Sequence, residues 1–169
     1  MPLRIEVDES ESNVLDAIRI PLLEETIESL WDTLAPGRLK PSVARIDLSV
    51  ADPRRMSELN ETYRGVKGPT DVLAFPLWET EKGVFSPPGG WPELDLGDVV
   101  ICLEEIARNA QRYGKSFEEE LLLVLVHGVL HLFAFDHACE KDRAGMWKVQ
   151  EDIIETYTKR SAGARKEEE

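Results

Sequence analysis

Three histidines, His127, His131 and His137, are the whole histidine complement of this 169-residue chain, and they lie within eleven residues. His127 and His131 stand four apart in an apolar run, so on a helix both imidazoles project from one face, about 6 Å apart at Cβ. Two ring nitrogens placed that way reach one ion at roughly 2.0–2.1 Å. His137 follows six residues later, past the end of the run near Ala134, where the chain can turn back with a third nitrogen. Three protein ligands leave the fourth tetrahedral position to water, as in a catalytic rather than a closed structural zinc site. Water held there ionises near neutral pH and becomes a nucleophile. A single histidine on an apolar helix is more often a satisfied core group, but burying three imidazoles without a shared partner is costly. The cluster therefore predicts one zinc ion per chain.

The spacing H-x3-H-x5-H is that of the metzincin metal motif, and two departures argue against a peptidase. Gly128 occupies the position after the first histidine, where a peptidase keeps its glutamate base, and Ala134 replaces the turn glycine before the third ligand. Cys139 is a weak candidate for a fourth ligand, because it would close the site. Cys102 reads as a small buried residue. Two cysteines cannot build a disulfide framework and point to a reducing compartment.

Residues 38–67 hold seven basic side chains (Arg38, Lys40, Arg45, Arg54, Arg55, Arg64, Lys67) against four acidic ones, a local +3 inside a chain of net charge −13. Such an excess suits phosphate contact or, equally, an ordinary solvated helix face. Arg64 stands out because it ends a helix just before Gly65, where a guanidinium can clamp a phosphate bidentately. Asp71 and Asp98 each open a strand, and Asp136 adjoins His137. Any of the three could orient a metal-bound imidazole or contact a partner. Strand-end capping and turn formation are the competing roles.

The elements that must position these groups are readable in outline. Residues 3–7 form a short strand and 21–34 an amphipathic helix ended by Pro36-Gly37; 44–50 alternate as a half-buried strand. Asp52-Pro53 starts a helix through Arg64, and 72–76 reads as a strand. Residues 77–96, rich in Pro and Gly, read as a long loop, with a strand from Val99 to Leu103 and a helix through Tyr113. Ser116 and Glu119 make a capping box for the histidine helix, and an amphipathic helix covers 140–157. The expected fold is α/β (α+β): a single domain over residues 1–160, with a small mixed sheet packed by helices, a zinc site on a central helix and its following turn, and a disordered tail at 161–169.

Length, 42% hydrophobic content and a pI near 4.7 agree with a globular domain that does not coat nucleic acid non-specifically. The start MPLRIEVDESE lacks the apolar stretch of a signal peptide. The longest apolar run, Leu121 to Phe135, is 15 residues and holds two histidines, too short for a membrane span. A cytoplasmic location is expected.

Three blocks together carry a resemblance. LNETYRGVKGPTDVLAFP (59–76), LGDVVIC (96–102) and HGVLHLFAFDH (127–137) resemble the YbeY family of bacterial endoribonucleases, or rRNA maturation factors. The resemblance implies zinc on His127, His131 and His137, with Arg64 acting at the phosphate. It also implies a single-strand-specific endoribonuclease acting in 16S rRNA 3′-end maturation and ribosome quality control. The implied partners are single-stranded RNA and the ribosomal small subunit with its proteins; neither a membrane nor DNA is expected. A non-catalytic ribosome-assembly factor with a structural zinc is the alternative, and a zinc metallopeptidase a more distant one. Ala74, Ala134 and Phe135 depart from the family's usual Ser, Gly and Tyr, and Ala134 bears on the turn toward His137, since glycine adopts positive φ freely and alanine does not.

Overall fold

Period-two alternation on the 44–50 segment places Ala44, Ile46 and Leu48 inside and Arg45, Asp47 and Ser49 outside, and this strand is the spine of a four-stranded sheet. The computed structural model describes residues 3–8, 15–38 and 41–167. In chain order the elements are β1 (Leu3–Val7), α1 (Ile20–Ser29), α2 (Trp31–Leu34), β2 (Val43–Val50), α3 (Pro53–Arg64), β3 (Val72–Pro76), β4 (Glu93–Ile101), α4 (Leu103–Tyr113), α5 (Phe117–Leu132) and α6 (Glu140–Glu167). The sheet runs β1-β2-β4-β3; β1, β2 and β4 are parallel and β3 is antiparallel to β4. This is the mixed sheet expected from the sequence, with β3 at one edge.

Helix α5 is the axis of the core. Its buried residues, from Glu120 to Leu132, cover most of the helix circumference and leave only the half-buried line Leu123, His127 and His131 facing a cleft. It packs on β3 and β4, with α4 and α6 beside it. Gly128 faces the sheet at close range: a Cβ there would meet Val99 Cγ1 at 2.8 Å and Val72 Cγ2 at 3.1 Å. The residue where a peptidase would hold its glutamate therefore has no room for a side chain. On the opposite face of the sheet α3 buries Met56 against Leu73, Val100 and Cys102.

The strand read as Val99 to Leu103 ends at Ile101, with Leu103 already in α4, and three boundaries differ by more. The helix read over 21–34 is two helices, because Leu30 (φ −105°) closes a tight turn through its N–H to the Ile27 carbonyl, and Trp31 then enters the core, fully buried and edge-on to Phe133 at 5.5 Å. Strand β4 begins at Glu93, inside the stretch read as loop 77–96, so the connection is shorter. The misleading residue is Gly97, whose φ of 124° accommodates a bulge where Asp95 pairs with Arg45 but Asp98 with Asp47. A Cβ at Gly97 would lie 2.2 Å from the Phe75 carbonyl oxygen. Helix α6 continues through Glu167, past Tyr157 and into the segment 161–169 read as a disordered tail; residues 168 and 169 lie outside the described residues. Among the described residues no helix is long and apolar enough to cross a membrane.

The tight approach of α5 has a measurable consequence. Gly128→Ala should destabilise the fold by about 1–3 kcal/mol, as overpacking does, read as a lower urea midpoint at unchanged m-value. An unchanged midpoint would show that the helix can lift from the sheet without loss.

Candidate metal centre

The start of α5 is set by the capping box: Ser116 Oγ accepts from the Glu119 N–H at 3.1 Å, and Glu119 Oε2 accepts from the Ser116 N–H at 2.9 Å. Its end is equally well defined. The Ala134 N–H donates to the His131 carbonyl at 3.0 Å and the Phe135 N–H to the Leu130 carbonyl at 3.1 Å. This paired closure, with Ala134 at φ 62°, is a Schellman motif. Ala134 is the one non-glycine residue with positive φ among those described. The turn sends the chain back, and Asp136 Oδ1 then accepts from the His137 N–H at 2.7 Å. The structure thus brings His127, His131 and His137 together.

Their candidate ligand atoms all lie within 4.8 Å of one another. Ring centroids are 4.7, 5.5 and 5.4 Å apart. The Nε2 atoms of His127 and His131 are 3.1 Å apart. Two nitrogens on one tetrahedral zinc, at roughly 2.0–2.1 Å each, would be separated by about 3.3 Å, so the pair fits a shared ion. Burial lowers the pKa of His127; it lowers that of His131 to about 4, with the neighbouring His127 and His137 adding to the effect. Both rings are neutral at pH 7, the state in which imidazole can bind a metal.

The group that orients His127 is Gln150 of α6. Its Oε1, which can only accept, lies 3.0 Å from Nδ1 of His127. The imidazole proton is thereby held on Nδ1, and the Nε2 lone pair turns toward the other histidines. Gln150 is buried with 6% of its surface exposed. The sequence signal for it was a lone amide in the apolar stripe of α6, between Met146 and Ile153.

The carboxylates take other places. Asp71 lines the same cleft, where Thr70 Oγ1 and Asn109 Nδ2 donate to it at 3.3 and 3.2 Å, and its charge acts on His127 from a distance. Asp136 is spent on the His137 backbone. Asp98 is exposed on β4 beside Asp47, where its charge, after burial and Asp95, helps to raise the Asp47 pKa; the structure does not bring it to the histidines. Cys139 is exposed, its thiol donating to Asp142 Oδ2 at 2.8 Å at the start of α6, and it is not part of the cluster.

Arg64 lines the same cleft as the histidines, a space of ≈ 880 Å³. It is the last residue of α3, which Gly65 terminates at φ 65°. The following loop is tied down where the buried Asn60 donates from Nδ2 to the Gly68 carbonyl at 2.8 Å. Arg64 is exposed and has no carboxylate partner among the described residues. Of the other basic residues read from the sequence, Arg54 and Arg55 pair with Glu58, Arg45 pairs with Glu6 and Glu93, and Lys40 lies outside the described residues.

Comparison with known proteins gives a consistent picture. A family model described as Endoribonuclease YbeY matches residues 8–158. An Endoribonuclease YbeY of Halalkalibacterium halodurans is 37% identical over 138 residues, covering 79% of this chain and 86% of the relative. One from Beutenbergia cavernae is 42% identical over 114 residues, covering 68% and 75%. The solution structure of a Thermotoga maritima protein superposes with a TM-score of 0.57 at 26% identity, covering 96% of this chain and 93% of that one.

Two outcomes follow from this geometry. Ala134→Gly should stabilise the protein by up to about 1 kcal/mol, since alanine bears the αL cost that glycine avoids, less the extra entropy of an unfolded glycine; a Tm rise of about 2–4 °C would register it, and a fall would show that the turn favours alanine. Metal-free protein should lose stability as pH falls from 6.5 toward 4. In that window the unfolded chain binds a proton that folded His131 refuses, so stability rises with pH. Urea midpoints at pH 7.5 and 4.5, compared with those of His131→Gln, should show a shallower fall in the variant.

Proposed function

The chain belongs to the YbeY endoribonuclease family, and on that basis we propose that it cleaves single-stranded RNA with one zinc ion held by His127, His131 and His137. The observation that carries this reading is the convergence of three imidazoles, two of them neutral and 3.1 Å apart at Nε2, in an open cleft that also holds Arg64. Three nitrogen donors without a thiolate suit zinc and leave a coordination position for a reactant. When bound, the ion supplies Lewis acidity, which acidifies water and stabilises charge on a phosphoryl oxygen.

The chain's own residues do the rest. Gln150 holds the His127 proton on Nδ1 and so keeps Nε2 available. Arg64, without a carboxylate partner among the described residues and lining the same cleft, neutralises the non-bridging oxygens of the scissile phosphate as charge builds on them. Asp71, held by Thr70 and Asn109 and close enough for its charge to act on His127, is the carboxylate we assign to accept a proton through water. Gly128 supports a nuclease over a peptidase, because the packing on Val99 and Val72 leaves no space for a glutamate base. A structural zinc would require a fourth protein ligand, and the described cluster offers three.

We assign the protein to the cytoplasm, with 16S rRNA 3′-end maturation and ribosome quality control as its tasks and the small subunit as its partner. The acidic chain, at −13, makes free RNA a poor ligand and favours delivery in a complex. Residues 1–160 are taken as the catalytic domain.

The test is cleavage of a defined single-stranded RNA with zinc content measured in parallel. His127→Ala should lose zinc and cleavage together. Arg64→Glu should keep zinc and lose at least about 100-fold in kcat, the scale for removing one charge-stabilising donor. Full cleavage by zinc-free His127→Ala protein would overturn the metal role, and full cleavage by Arg64→Glu would overturn the phosphate role.

A further inference from the structure

How the cleft selects a single strand is a separate question, and its answer here rests on the endoribonuclease reading. Charge does not provide it. Two cationic side chains, Arg64 and Lys115, stand against five carboxylates among the residues lining the cleft. Lys115 is already committed, 3.5 Å from Glu120 Oε2. A surface that tracks an RNA backbone by neutralising phosphates has the opposite balance.

What the walls do present is aromatic surface. Tyr63 is 64% exposed and Trp147 41% exposed, and both line the cleft. They come from different elements, Tyr63 from α3 beside Arg64 and Trp147 from α6 beside the histidines. Each ring is braced. Phe75 meets Tyr63 edge-on, with centroids 4.9 Å apart and planes at 75°. Trp147 stands nearly perpendicular to His127 and His137, at 6.4 and 6.1 Å with planes at 86° and 89°. Exposed aromatic rings are otherwise a burden on a soluble surface, whereas braced rings in a cleft are preorganised for flat ligands.

We propose that Tyr63 and Trp147 are stacking platforms for unpaired bases flanking the scissile phosphate, and that they determine the preference for single-stranded RNA. Bases in a duplex already have both faces covered, so only a strand with free bases can offer a face to each ring. Stacking is indifferent to base identity, so the selection concerns strandedness rather than sequence. Arg64 then meets the phosphate while the rings hold the nucleosides on either side.

The experiment measures zinc-loaded protein binding to a fluorescein-labelled 2′-O-methyl RNA octamer by anisotropy, beside KM and kcat on the corresponding RNA. Tyr63→Leu and Trp147→Leu should each weaken binding on the order of tenfold and raise KM in step, while Tyr63→Phe and Trp147→Phe restore most of the affinity. Octamer binding should quench tryptophan fluorescence in the wild type, and much of that quenching should vanish in Trp147→Phe. Zinc content reports whether Trp147 variants keep the site; if they lose it, the Tyr63 pair decides. Unchanged affinity in both leucine variants, or equal affinity for an octamer with abasic central positions, would overturn the proposal, as would wild-type protein that binds no octamer. Wild-type protein that binds with quenching but cleaves no RNA would overturn the endoribonuclease reading and leave the stacking assignment standing.

Discussion

Everything in this molecule is referred to the contact between α5 and the sheet at Gly128. With Val99 and Val72 filling the space a Cβ would need, the helix lies closer to β3 and β4 than any side chain at that position would allow. The same closeness fixes the rotation of α5 about its axis, because turning the helix would swing a larger residue into the strands. His127, adjacent in sequence, and His131, one turn on, then have a single direction in which to project. Packing density in protein interiors is high enough that this acts as a rigid constraint. The imidazole geometry follows from a missing side chain.

The parts of this arrangement visible in the sequence were those encoded locally. Ser116 and Glu119 announce the start of α5 because a capping box lies within four consecutive residues, and Asp52 with Pro53 does the same for α3, where Asp52 Oδ1 accepts from the Arg55 N–H at 2.7 Å. The histidine spacing is also local, since one helix and one turn carry all three rings. Gln150 shows in the sequence only as a lone amide in an apolar stripe; its role was not legible, because that depends on where α6 docks, 23 positions from His127. The carboxylates Asp71, Asp98 and Asp136 drew notice by chemical type instead, and of these Asp98 faces away. Gly97 concealed the first half of β4 for a related reason: a glycine that serves a bulge in three dimensions reads as a strand breaker in one.

Charge behaves likewise. The excess of basic residues over 38–67 is real, yet much of it is consumed at the surface, as Arg54 and Arg55 share Glu58 and Arg45 bridges Glu6 and Glu93. Exposed pairs of this kind contribute little to stability. What they do is leave Arg64 as the cation in the cleft without a carboxylate partner, and so the one free to meet an incoming anion. In an acidic chain, a guanidinium left without a carboxylate inside a cleft concentrates positive charge at one position instead of spreading it over the surface.

Ala134 gives the histidine site an asymmetry. Two donors ride on a buried helix, whereas the third is delivered by a turn whose pivot sits at φ 62° without the freedom of glycine. Any ligand that captures His137 along with the other two also holds that pivot closed, and linkage makes the two events one equilibrium. Coordination and backbone closure would therefore act on each other as latch and door: a bound ion would favour the closed turn, and a change that opens the turn would weaken the hold on the ion. The methyl group at position 134 thus enters the same equilibrium as the third imidazole.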